Sequence, residues 1–137
     1  MTNAEKKAYL RSYRQAHLEA QEAKMRLVEF RTRNAGLKAI VMDDMPKSSG
    51  GKRDLSDYAA QLDELEEKLS EAGKRAIIRE KMVLATISRV EDPFDRRLLS
   101  MIYLDWMSIA AISEAMHYSY RQIVRAHRLA IERMTCP

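Results

Sequence analysis

Apolar residues in this chain recur in steps of three and four, the period of an α-helix, and no segment survives as a strand candidate. Tyr13, Ala16, Ala20, Ala23, Leu27 and Phe30 form one such seam inside an unbroken run from about Asn3 to Asn34. Its alanines would let a partner helix approach closely, and Gly36 is a candidate stop. A second seam runs through Tyr58, Leu62, Leu65, Leu69, Ala72 and Ala76, then on through Ile77, Leu84, Ile87 and Val90. Ser56 is the expected N-cap of that helix, and Asp57 suits its first turn. Gly73 lies inside it, where glycine costs about 1 kcal/mol relative to alanine, so a bend or close crossing is expected there. Pro93 closes the helix at Asp92 and opens a third, to about Trp106, with Phe94, Leu98, Leu99, Ile102 and Tyr103 as its buried face.

Residues 37–56 are expected to form the linker between the two long helices. Pro46, Ser48, Ser49, Gly50 and Gly51 oppose regular structure together, which predicts a mobile loop and an early site of proteolysis. Lys47, Lys52 and Arg53 would add non-specific affinity for a polyanion. The Gly50-Gly51-Lys52 triplet is no phosphate loop, because the GxxxxGK[ST] spacing is absent and Arg53 follows the lysine.

The stretch from Ser108 to Arg133 reads as a short apolar helix, a tight polar turn and a helix studded with arginine. This is the pattern of a helix-turn-helix, whose second helix lies in the DNA major groove. Met116 ends the first helix, His117 and Tyr118 bridge, and Ser119 N-caps the second. Ile109, Ile112, Met116, Ile123, Ala126 and Ala130 are expected to share one small core. Arg121, Arg125 and Arg128 stand three or four apart on one face. The predicted fold is all-α: a long antiparallel helical hairpin over residues 1–92, then a three-helix helix-turn-helix head over residues 93–137.

Charge sharpens this reading. The chain has 137 residues and a net charge of +4. From His117 onward there are four arginines and one glutamate, net +3. Residues 57–92 carry net −3 and residues 1–35 net +4, so the middle helix complements the first and the C-terminal helix is left basic. A basic segment of this kind is the electrostatic footprint of nucleic-acid binding. The nine methionines suit gap-filling core positions. A lone Cys136, a polar N-terminus and the lack of any apolar run near ~20 residues lead to the expectation of a cytoplasmic protein without a membrane span.

The C-terminal part resembles region 4 of bacterial sigma factors, in EDPFDRRLLSMIYLDWMS, then IAAISEAM, then YSYRQIVRAHRLAIERM. The whole chain looks like a family of small phage-encoded proteins with that head, related to the RinA and ArpU-type regulators of phage late genes. The N-terminal helix, the MPKSSGGKRDLSDY linker and YSYRQIVRAH carry the match. Two features depart from the pattern: Ile109-Ala110-Ala111 stands where acidic residues are common, and Arg128 stands where a glycine often follows the histidine. The resemblance implies sequence-specific binding of double-stranded DNA, activation of phage genes and host RNA polymerase as a candidate partner.

Each candidate residue then has an expected role. Tyr120, Arg121, Val124 and Arg125 face base edges, since arginine can bond guanine twice and valine can meet a thymine methyl. His117, Ser119, Gln122, Arg128 and Arg133 face phosphates. Ser119 doubles as a cap and Gln122 as a support for the turn. His127 is expected to be partly buried, and Trp106 to pack at the head's edge. No cofactor, metal site or enzymatic activity is expected, because His17, His117 and His127 lack ligand spacing and Glu64, Glu66, Glu67 and Glu71 form a solvated face. The hairpin is expected to self-associate as a homodimer. The alternative function is a coiled-coil adaptor or inhibitor of a host complex, whose basic head grips an acidic protein or RNA.

Overall fold

The computed structural model describes residues 1–36 and 49–137, with side chains from Leu55 onward in the second stretch. The described residues form five helices and no strand: α1 (Asn3–Arg33), α2 (Ser49–Ser88), α3 (Pro93–Tyr103), α4 (Ile109–Met116) and α5 (Tyr120–Arg133). The all-α class predicted from the periodicity is correct. Several boundaries differ: α2 ends at Ser88 and not at Asp92, and α3 ends at Tyr103 and not near Trp106. α1 ends at Arg33, and the Asn34 side-chain amide just after it donates to the Phe30 carbonyl at 2.8 Å, so Gly36 is not the stop. α2 begins at Ser49, so Ser56 is an interior residue and Gly50 and Gly51 are helical. Of the expected linker, residues 37–48 lie outside the described residues, as do the side chains of Lys47, Lys52 and Arg53.

The chain divides into two compact units, residues 17–74 and residues 1–16 with 75–137. Compactness therefore does not divide at residue 92, because both ends of the hairpin enter the same core as the head. In the unit of residues 17–74, Leu27, Phe30, Tyr58 and Ala72 are buried, and Phe30 stacks on Tyr58 at 5.3 Å. Arg31 meets Glu66 at 2.9 Å, as the charge balance of the two helices predicts. In the other unit, Leu10, Val83, Ile87, Leu99, Tyr103, Ala130 and Ile131 form one buried cluster. Early α1 meets late α2 there, and late α1 meets early α2 in the first unit, which is the antiparallel pairing the seams predict.

Burial, not charge, holds α1 and α2 to the head. Each fully buried leucine, isoleucine or valine contributes about 1.5–3 kcal/mol, and Leu10, Val83 and Ile87 are at most 1% exposed. An exposed ion pair such as Arg31–Glu66 contributes about 0–1 kcal/mol. The seam of α2 also differs in phase from expectation. Ile77 and Leu84 are 53% and 48% exposed, while Val83, Thr86 and Ile87 are buried. Counting on from Ala76, positions 83 and 87 stay on one face, whereas 77 and 84 fall one residue past it. A Cβ added at Gly73 would meet nothing within 4 Å, so no close crossing explains that glycine.

Candidate nucleic-acid interface

The head is assembled by caps that its own sequence supplies. The Asp92 carboxylate accepts from the Phe94 N–H at 3.2 Å and Pro93 occupies the first turn, which fixes the start of α3. Ser108 caps α4 by accepting from Ala111 N–H at 3.1 Å. His117 then takes a left-handed conformation, φ 59°, and its N–H donates to the Ser113 carbonyl. Histidine tolerates this region better than bulkier or branched residues do. The chain turns sharply at His117 and re-enters a helix at Ser119. There Ser119 Oγ accepts from Gln122 N–H at 3.1 Å, and Gln122 Oε1 accepts from Ser119 N–H at 2.8 Å. This reciprocal capping box satisfies two N-terminal donors and fixes where α5 points.

Two hydrophobic clusters hold α5 along opposite halves. Ile112 and Ile123 are fully buried with Leu98 and Met101, and Ile109, Met116 and Ala126 pack against them. This is the expected helix-turn-helix core, with one correction: Ala130 belongs to the other cluster, beside Leu10, Ile131 and Met134. α5 is therefore long enough to span both. The far side of α5 faces solvent. Tyr120, Arg121, Gln122, Val124, Arg125 and Arg128 are all exposed, with Tyr120 at 59% and Val124 at 45%.

The arginines of the head divide into two kinds. Arg96 donates to the Val90 carbonyl at 2.9 Å. Arg133, a candidate phosphate contact, instead lies 3.3 Å from Asp95 and 3.9 Å from Asp92. Among the described residues, none forms an ion pair with Arg121, Arg125 or Arg128. Those three guanidinium groups thus present their donors outward from a rigid helix.

Several contacts of the head escaped the sequence reading. Asp95 is only 3% exposed, and burial with the neighbouring Asp92 raises its pKa against the opposing pull of Arg133. The Tyr103 hydroxyl lies 2.7 Å from His127 Nε2. Burial, then the charges of Lys7 and Arg11, lower the His127 pKa, and burial pushes Tyr103 up to about 12. A neutral imidazole accepting from a protonated phenol fits both shifts. His127 is partly buried, as expected. Trp106 sits at φ 54°, donates to the Tyr103 carbonyl at 3.0 Å and packs its ring on Tyr13 at 5.2 Å. Tyr118 meets Phe94 edge-on at 5.7 Å, which ties the turn to α3. No helix among the described residues is long and apolar enough to cross a membrane, and among them no cluster of three potential ligands could hold a metal.

The profile of a family described as "protein of unknown function (DUF1492)" matches residues 37–135. The chain belongs to that DUF1492 family. The match covers α2 to α5 and leaves α1 outside it, although the N-terminal helix was expected to share in the resemblance. Neither the curated proteins nor the solved structures yield a match to this DUF1492 member.

Proposed function

We propose that this DUF1492 member is a phage-encoded, sequence-specific DNA-binding regulator that lays α5 in the major groove and activates transcription. The observation that carries the reading is the exposed row Arg121, Arg125 and Arg128, without an ion pair among the described residues, on a helix aimed outward by a capping box. Tyr120, Arg121, Val124 and Arg125 lie in the first turns and face base edges. Arg128 grips phosphate further along, and His117, Ser119 and Gln122 border the groove at the turn. Ser119 and Gln122 spend one oxygen each on the cap, and a hydroxyl proton and an amide nitrogen remain to donate. Arg133 engages Asp95 through one nitrogen and meets phosphate with its remaining donors. Host RNA polymerase is the proposed partner in activation.

Exposed apolar residues on the hairpin, Ile77, Ile78 and Leu84 among them, favour self-association as a homodimer. Selection of bound sites from random duplex DNA tests the function. Recovery of a defined motif is the expected result, and its symmetry reports stoichiometry. Failure to enrich any sequence at low salt would refute sequence-specific binding.

A further inference from the structure

Helix α1 lies outside the matched part of the chain, yet its first turns are built into the head. Leu10 is fully buried in the cluster that holds Ala130 and Ile131 of α5. Lys6 Nζ donates to the carbonyls of Ile131 and Glu132 at 3.1 and 3.3 Å, closing the C-terminal end of α5 with a cation. Lys7, Arg11 and Arg14 follow at steps of four and three, so they form one basic ridge along α1 beside Leu10. Arg11 and Arg14 are exposed and Lys7 is half-buried. None of the three forms an ion pair among the described residues.

The ridge borders a particular flank of α5. His127 stands three residues after Val124 and seven after Tyr120, on the edge between the buried and exposed sides. Lys7 and Arg11 are near enough to His127 for their charges to depress its ionisation. A duplex seated on Tyr120, Val124 and Arg125 would bring its backbone toward that same edge.

We propose that Lys7, Arg11 and Arg14 of α1 form a second phosphate-gripping strip for the duplex that α5 reads. This rests on the DNA-binding reading and extends it to the N-terminal helix. A nucleic-acid backbone is the fitting occupant because the ridge sets three cations in a row, without an ion pair among the described residues, beside a helix whose exposed face is itself basic. Such contacts add affinity and salt dependence without sequence information.

The test is binding of the full chain to a fluorescein-labelled mixed-sequence duplex across a salt series. Three proteins are compared: the wild type, Lys7→Gln/Arg11→Gln/Arg14→Gln, and Lys24→Gln/Arg26→Gln/Lys68→Gln, which removes equal charge from exposed sites elsewhere. The ridge variant should lower the slope of log affinity against log salt by about 2–3, while the control changes it by less than about one. A charge-keeping variant, Lys7→Arg/Arg11→Lys/Arg14→Lys, should retain the wild-type slope, which separates lost contacts from lost folding. Equal slopes in the ridge variant and the control overturn the strip and leave the reading of α5 standing. No salt-dependent binding by the wild type overturns both.

Discussion

The Tyr103 hydroxyl meets His127 Nε2 at 2.7 Å, and this contact joins the middle of α5 to the end of α3. Burial, with Lys7 and Arg11, lowers the folded-state pKa of His127 below its ordinary 6.5. The unfolded chain therefore binds the proton more readily. The stability contributed is fully present above pH 6.5 and is lost as pH falls through the lower folded value. Denaturant midpoints from pH 8 to pH 5 should show the wild type losing stability relative to His127→Gln, which still accepts from Tyr103 but does not titrate. A difference that stays flat, or favours the wild type in acid, contradicts this.

Arg133 is a structural residue before it is a ligand. It is the partner of buried Asp95, whose raised pKa shows that burial and Asp92 outweigh the guanidinium. Because Arg133 itself is exposed, its removal should cost a moderate amount, about 1–2 kcal/mol. Arg133→Ala/Asp95→Asn should recover part of that loss, since no buried charge is left behind. Urea melts of both variants check this; a double variant less stable than Arg133→Ala would contradict it.

Gly73 has open space around its α-carbon and no positive φ. Gly73→Ala should stabilise the chain by about 1 kcal/mol. An unchanged or lowered thermal midpoint would mean that this position bends or contacts something the monomer does not show.

Ile77 and Leu84 stand exposed one residue past the seam of α2. Sedimentation at micromolar concentration should give a dimer for the wild type and a monomer for Ile77→Lys/Leu84→Lys, with helical content unchanged. A monomeric wild type removes the dimer.

The parts of this fold that were legible in the sequence are the local ones. Asp92 with Pro93, and Ser119 with Gln122, signal helix starts through contacts two or three residues long. The seam of α1 and the first half of α2 follow from spacing alone. What was missed depends on distant pairs. Asp95 with Arg133, Tyr103 with His127 and Tyr13 with Trp106 are brought together only by packing. The slip from Val83 to Ile77 and Leu84 has a different origin, since the seven-residue step from Ala76 reaches Val83 and keeps the phase of the seam. The early start of α2 at Ser49 shows a serine and two glycines held in a helix against their local preference. The exposed face of α5 with Tyr120, Arg121, Val124 and Arg125 was legible because the turn and the arginine spacing are local. The ridge on α1 was not, because its distance to α5 is set by Leu10.

On the proposed function, the first turns of α5 read sequence while later residues only grip. The direct measurement is binding of Arg121→Ala and Arg128→Ala to a selected site and to a scrambled site at several salt concentrations. Arg121→Ala should lose roughly 1–3 kcal/mol on the selected site, with relaxed preference at particular base pairs and little change on the scrambled one. Arg128→Ala should weaken both duplexes alike and lower the salt slope by about one contact. If Arg121→Ala weakens the two duplexes equally, α5 is an electrostatic grip and not a reading helix.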